Sequence, residues 1–155
     1  MGAVNLEAEQ MVDLLRRVRH DFANHLQVIG GYLEMGNSDR VKEYLGAVIE
    51  DIRSERIIFE TFDGEASLYF YEQLLKAYDI GIILRYEDIG IDSWEILKAS
   101  GEPYRSLVGL KKETSESEED EVIYLSIHED KQGFNLLFSC SAWDYGPKVV
   151  RVNKG

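Results

Sequence analysis

The chain has 155 residues, of which 45% are apolar, so its length and composition allow one ordinary domain or two small ones. Its formal net charge of −12 argues against nucleic acid or an anionic membrane as the main partner. A single cysteine, Cys140, excludes an intrachain disulfide. Because no segment approaches a run of about 18 apolar residues, we expect a soluble, cytoplasmic protein without a membrane anchor.

The first 61 residues are typical of two long helices joined by a tight turn. Helix 1 is predicted from about Leu6 to Met35, and helix 2 from the turn at 36–39 to Thr61. Gly36 suits a C-terminal cap, and Asn37 or Ser38 suits an N-terminal cap. Apolar residues at alternating steps of four and three predict one seam on helix 1, formed by Met11, Leu15, Val18, Phe22, His25, Ile29 and Tyr32.

The two helices form an antiparallel hairpin, which is too small to enclose a core. Helix 2 repeats the apolar spacing at Val41, Leu45, Val48, Ile52 and Phe59. Each hairpin would leave an apolar face in water, and we expect a second copy to cover it in a dimeric four-helix bundle. Packing against the C-terminal half is the alternative. We also expect Gly30 and Gly31 to mark close packing between helices.

The remainder predicts a small α/β sandwich of about 90 residues. The fold class is therefore α+β, with a hairpin domain at 1–62 and a second domain at 63–155. The acidic run at 113–121 is typical of a solvated loop. The predicted helices and strands are a helix at Ser67–Tyr78, a strand at Ile80–Tyr86, a short helix at Asp92–Ala99, and a β-hairpin of Val122–His128 with Gly133–Ser141.

His20 is the candidate functional residue of helix 1. At about 100° per residue it points away from the seam and into water, with Arg16 and Asn24 on the same face. A solvent-facing imidazole beside an arginine and an amide suits the acceptance and transfer of a phosphoryl group. Most surface histidines have no such role. His25 lies about 140° from His20, which disfavours a metal-chelating pair, and we expect His25 to pack or hydrogen-bond inside the hairpin.

The segment Arg19-His20-Asp21-Phe22-Ala23-Asn24 resembles the R-H-D-x-x-N motif of a known family. It is similar to the phosphoacceptor hairpin of sporulation initiation phosphotransferase B and of citrate/malate-type sensor histidine kinases. The resemblance implies that His20 is phosphorylated and that the hairpin forms a homodimer. It also implies that response-regulator receiver domains are the partners, with Mg²⁺ held by the receiver and not by this chain.

The second half resembles a degenerate histidine-kinase ATPase domain. Residues 68–82 are similar to the helix and strand that open such a domain. Family kinases then need an asparagine-bearing helix, but residues 102–117 contain no asparagine. The segment 144–148 places Lys148 where a second glycine is needed, and a glycine-rich lid is missing. We therefore expect no nucleotide cofactor.

These patterns together predict a histidine phosphotransferase of a phosphorelay. His20 takes a phosphoryl group from one phospho-aspartyl response regulator and passes it to another. Asp21 orients the ring and Asn24 donates to a phosphoryl oxygen. The residues expected to contact the partner are Arg16, Arg17, Arg19 and Gln27. The alternatives are a non-catalytic dimeric module that sequesters a response regulator or a kinase, and an excised piece of a sensor kinase.

Overall fold

The computed structural model describes residues 2–113 and 120–155, and shows an α+β fold. Most of the predicted acidic loop, 114–119, lies outside the described residues. The described helices and strands are α1 (Gly2–Glu34), α2 (Ser38–Thr61), α3 (Gly64–Asp79), β1 (Ile82–Gly90), α4 (Trp94–Ser100), α5 (Tyr104–Glu113), β2 (Glu121–Glu129), β3 (Gly133–Ser139) and β4 (Lys148–Asn153).

The chain divides into two compact units, Met1–Glu50 and Asp51–Gly155, and the division falls inside α2. The sequence-based boundary between residues 62 and 63 coincides instead with the end of α2, and it stays a prediction. The first unit contains α1 and the first half of α2. The second contains the rest of α2 and every strand of the described sheet.

The turn between α1 and α2 has the predicted caps. Gly36 has a φ of +68°, a left-handed conformation that favours glycine. The N–H of Asn37 donates to Tyr32 O at 2.9 Å, as expected where glycine ends a helix. The side chain of Asn37 accepts from the N–H of Arg40 at 3.2 Å and so caps the start of α2.

The apolar face of α1 is wider than the single predicted seam. Of the seam residues, His25, Ile29 and Tyr32 are half-buried, whereas Met11, Leu15, Val18 and Phe22 are exposed. The single chain therefore covers only part of the predicted seam, and the partner that would cover the rest stays a prediction. The exposed apolar residues form their own stripe, which we call the open stripe: Met11, Leu15, Val18, Phe22, Leu26 and Leu33.

The glycine pair in α1 is not explained by packing within the chain. A Cβ placed on Gly30 or Gly31 would meet no atom within 4 Å in the described structure. The expectation that these glycines mark close helix contact therefore stays a prediction for packing against another copy.

The second unit is built on a four-stranded sheet in the order β1-β2-β3-β4. β1 and β2 are parallel, whereas the β2–β3 and β3–β4 pairs are antiparallel. Alternate residues of β1, β2 and β3 are buried, as expected for strands with one face on a core. α3 lies against β1 and contacts α4 and α5, so the helices cover one face of the sheet. The largest fully buried side chains include Phe70, Tyr86, Leu107, Leu125, Phe134 and Phe138.

The structure adds two elements, α5 and β4, which the sequence analysis did not predict. α5 buries only Leu107 and Leu110. Its start is stabilised by the buried carboxylate of Glu102, which accepts from the backbone N–H and the hydroxyl of Ser106 at 2.8 and 2.7 Å. A carboxylate is favourable there because it meets unpaired N–H groups at the positive end of the helix dipole.

β4 is an edge strand, and each basic side chain on it or next to it has an acidic partner. Hydrogen bonds from Arg151 and the backbone N–H of Gln132 lower the pKa of Asp130 well below its ordinary value. The ion pairs are Lys148–Glu113 at 3.0 Å, Arg151–Asp130 at 2.7 Å and Lys154–Glu129 at 2.9 Å. Charged side chains on a strand edge discourage pairing with other strands.

Glu129, the last residue of β2, caps the start of α4 from another element. Its carboxylate accepts from the N–H groups of Asp92 and Ser93 at 3.0 and 2.8 Å and from Lys154 at 2.9 Å. Partial burial raises the pKa of Glu129, but hydrogen bonds from Lys154, Ser93 and Asp92 outweigh it and lower the pKa to about 2.

We expect Glu129→Gln to lower the free energy of unfolding at pH 7 by about 2 kcal/mol. The ordinary pKa of 4.5 is above the folded value of about 2. The contribution of Glu129 is therefore fully present above about pH 4.5, and it is lost as the pH falls through 2. Urea unfolding from pH 7 to pH 2.5 measures this, with the exposed Glu87→Gln as control. If the difference in unfolding free energy between wild type and Glu129→Gln stayed constant from pH 7 to pH 2.5, the stabilising role of the Glu129 carboxylate would be contradicted.

Candidate functional site

His20 lies on the outer surface of α1, with 73% of its side chain exposed. On a helix, residues three and four positions apart are neighbours. This spacing puts Arg16 and Asn24 one turn before and one turn after His20, and Gln27 two turns after it. All three are exposed. The open stripe is on the other side of the helix, because Val18 and Phe22 are each rotated about 160° from His20.

Two side chains approach the same nitrogen of the His20 ring. Asn24 Nδ2 lies 3.5 Å from Nδ1, and Asp21 Oδ1 lies 3.6 Å from Nδ1. Within the described part of the chain, neither contact involves Nε2. The ring therefore presents Nε2 to solvent, while Nδ1 faces the two neighbouring side chains. The structure brings together His20, Asp21 and Asn24, as the sequence predicts.

The three arginines of the segment differ in their surroundings. Arg16 forms an ion pair with Asp13 at 3.1 Å, and its side chain is 75% exposed. Arg17 is half-buried and its Nε lies 3.8 Å from Asp21 Oδ2. Arg19 is exposed, and it precedes His20 by one position, or about 100° around the helix. The arginines therefore do not share one orientation toward His20.

His25 is part of the hairpin interior. Its Nδ1 lies 2.6 Å from the hydroxyl of Tyr44, and the two rings meet edge to face at a centroid distance of 5.6 Å. The prediction that His25 packs or hydrogen-bonds inside the hairpin is confirmed. Sequence analysis did not identify Tyr44, because nothing in the local pattern of α2 indicates which residue of α1 it contacts.

The Arg17–Asp21 pair was also missed, although its signal was present. Oppositely charged residues at positions i and i+4 of a helix are neighbours on its surface. The sequence analysis instead assigned Arg17 to partner contact, because Arg17 stands beside Arg16 and close to His20.

In the second unit, the segment 144–148 that was compared with a glycine box leads directly into β4. Lys148 begins β4 and pairs with Glu113, so its side chain has a structural partner. A groove is lined by Ser100, Glu102, Arg105, Ser106 and residues 150–153. Its charged lining is mixed, with the buried carboxylate of Glu102 and the guanidinium groups of Arg105 and Arg151.

An exposed histidine on a two-helix hairpin, beside a carboxylate and an amide, is the arrangement expected of a module of two-component signalling. The comparison with protein families supports this class. Residues 2–61 match the alpha-helical domain of SpoOB-type sensor kinases. The N-terminal helices of the chain are therefore similar to the helical domain of this family, which confirms the resemblance found in the sequence. The match ends with α2 and does not extend to the sheet.

No curated protein matches the chain. In the described residues, no helix combines the length and the apolar character that crossing a bilayer requires. The cytoplasmic location stays a prediction.

Proposed function

We propose that the protein is a histidine phosphotransferase of a phosphorelay, with His20 as the phosphoacceptor. The observation that carries the proposal is the exposed His20 ring, whose Nδ1 faces Asp21 and Asn24 while Nε2 faces solvent. The similarity of residues 2–61 to the helical domain of SpoOB-type sensor kinases supports the same class of chemistry.

In the proposed reaction, the Nε2 lone pair of His20 attacks the phosphorus of a phospho-aspartyl group on a receiver domain. The bond between phosphorus and the aspartyl oxygen breaks, and the electron pair leaves with the aspartate carboxylate. The second transfer is the same step in reverse, onto the aspartate of another response regulator. Neutral imidazole has this lone pair near pH 7, and the reaction depends mainly on in-line positioning and charge stabilisation.

The surrounding side chains have separate proposed roles. Asp21 orients the ring through Nδ1, and Asn24 donates a hydrogen bond to a phosphoryl oxygen. Arg16, Arg19 and Gln27 contact the receiver, and Arg16 must then leave Asp13. Mg²⁺ belongs to the acidic pocket of the receiver. This chain contributes no metal ligand to the reaction.

The proposed assembly is a homodimer through a four-helix bundle. Each helix of such a bundle contacts two neighbours. In α1, one face is half-buried within the chain, and the open stripe provides a second apolar face for another copy. On α2, Leu45 and Ile49 are also exposed, at 40% and 45%. Covering these residues removes apolar surface from water, which favours association.

A partner-independent donor gives the direct test of the proposed function. Incubation with labelled phosphoramidate, a small phosphoryl donor, should place one acid-labile, base-stable phosphate on each chain. Peptide mapping should find it on the peptide that contains His20. Transfer from a panel of phosphorylated receiver domains then identifies the donor and the acceptor. A protein that binds receivers but takes no label from phosphoramidate would be the non-catalytic binding module.

We further expect no useful binding of ATP. The residues 102–117 contain no asparagine, and Lys148, which stands where a second glycine is needed, is held by Glu113. Calorimetric titration with Mg-ATP should show no saturable heat up to roughly 100 μM, an affinity weaker than about −5.5 kcal/mol. A saturable isotherm below this concentration would contradict the expectation and assign a nucleotide site to the second unit.

A further inference from the structure

The two carboxylate oxygens of Asp21 lie near two different side chains. Oδ1 lies 3.6 Å from Nδ1 of His20, and Oδ2 lies 3.8 Å from Nε of Arg17. Arg17 and Asp21 are the less exposed members of this group, at 30% and 38%, against 73% for His20. The carboxylate therefore lies between a cation on the half-buried face of α1 and the imidazole on its outer face.

The two contacts at Nδ1 of His20 require opposite states of that nitrogen. A carboxylate only accepts hydrogen bonds, so its approach favours a proton on Nδ1. An amide nitrogen only donates, so the approach of Asn24 Nδ2 favours an unprotonated Nδ1. A neutral imidazole carries only one N–H proton, so the nitrogen that holds it determines which nitrogen has the lone pair. A proton on Nδ1 leaves the lone pair on Nε2, where the proposed reaction needs it.

We propose that Arg17 is a positioning residue that acts through Asp21 on His20. The guanidinium holds the Asp21 carboxylate beside Nδ1, so the carboxylate and not the amide sets the tautomer of the ring. Asn24 then turns its amide and is free for the phosphoryl group. This inference rests on the proposed function, and it replaces the sequence-based assignment of Arg17 to partner contact.

Arg16 is the matched control, because it is the same residue type one position earlier in the same helix. Its guanidinium faces Asp13 at 3.1 Å, and in this structure it has no contact with Asp21. Replacement of either arginine by methionine removes a positive charge near His20. Only loss of Arg17 removes the cation that holds Asp21.

The first experiment measures the His20 ring without any partner. Nitrogen-15 NMR of histidine-labelled protein, at a pH where the ring is neutral, gives the ratio of the Nδ1–H to the Nε2–H tautomer. Arg17→Met keeps the apolar stem and should lower this ratio roughly two- to fivefold, which an ion pair of this exposure can supply. Arg17→Lys and Arg16→Met should keep the wild-type ratio. An unchanged ratio in Arg17→Met overturns the proposal, whether or not His20 accepts phosphate.

The second experiment is a double-mutant cycle on the rate of phosphoryl transfer from a receiver domain. If Arg17 acts through Asp21, Arg17→Met slows transfer roughly two- to fivefold in the wild type and has no effect in Asp21→Asn. Equal slowing in both backgrounds assigns Arg17 to the partner and overturns the proposal. If no variant or wild-type protein accepts phosphate, the proposed function fails, and the tautomer ratio still decides the role of Arg17.

Discussion

His20→Ala should lose phosphoryl acceptance, by roughly a thousandfold or more, and should keep the assembly state of the wild type. The size of the effect follows from removal of the nucleophile itself, for which neighbouring groups cannot substitute. The fold should persist, because the ring is 73% exposed and its side-chain contacts are local to one turn of α1. Labelling with phosphoramidate and sedimentation velocity measure the two properties on the same samples.

His25→Ala is the control for this experiment, since it removes the neighbouring histidine of the same helix. The variant should take a full label, because His25 lies in the hairpin interior. Its stability should fall by about 1 to 3 kcal/mol, because the Tyr44 hydroxyl loses the partner that now lies 2.6 Å away. Labelling that survives in His20→Ala but disappears in His25→Ala would transfer the acceptor role to His25 and contradict the site.

Phe22→Asp should convert the proposed dimer to a monomer. Phe22 is 61% exposed in the single chain and lies in the middle of the open stripe. A second copy that covers the stripe would bury the new carboxylate without a partner, which costs several kcal/mol unless the interface opens. Val18→Asp, on the same stripe, should act in the same direction. Sedimentation velocity over a range of concentrations gives the assembly state.

Gln27→Asp supplies the matched control, because it adds the same charge to the same helix on the His20 face. Gln27 is exposed and is rotated only about 20° from His20. The variant should remain a dimer and should change only the rate of transfer with a receiver domain. If Phe22→Asp sediments as wild type does, the open stripe is not the dimer interface. His20 would then no longer be placed on the side of α1 opposite to the dimer interface.

The helical hairpin is well predicted from the sequence, because its signals are local. The φ of +68° at Gly36 and the cap from Asn37 are properties of a few adjacent residues. The sequence identifies Gly36 and narrows the N-terminal cap to Asn37 or Ser38. α3 is also predicted to within three residues, and Asp63 caps its start by accepting from Ala66 N–H at 3.4 Å. Local capping chemistry therefore predicts the turn between α1 and α2, whereas the cap at Asp63 was not identified and the predicted start of α3 is three residues late.

The elements that the sequence analysis missed depend on long-range contacts. α5 has only Leu107 and Leu110 as buried residues, too few for a clear helical period, although Pro103 before it and two lysines at its end were available signals. β4 is short, and its position is fixed by pairing with β3. The register of such a strand is set by its neighbour and not by its own six residues.

The candidate site shows the same division between local and distant information. His20, Asp21 and Asn24 lie within two turns of one helix, so helical geometry alone places them together. The predicted seam of α1 includes half-buried and exposed residues alike, because periodicity gives the direction of a residue but not the partner that covers it. For the same reason, the sequence did not distinguish the surroundings of Arg16 from those of Arg17.

The ion-paired edge strand β4 has a consequence for how copies of this protein can aggregate. Lys154 N–H donates to Gln132 O across the β3–β4 pair, and alternation along the strand then points the backbone groups of Arg151 outward. Two β4 edges paired antiparallel about Arg151 would set the two Arg151 guanidinium groups against each other and Lys148 opposite Lys154. Like charges directly opposite in a sheet are unfavourable. Antiparallel pairing of two β4 edges about Arg151 is therefore opposed.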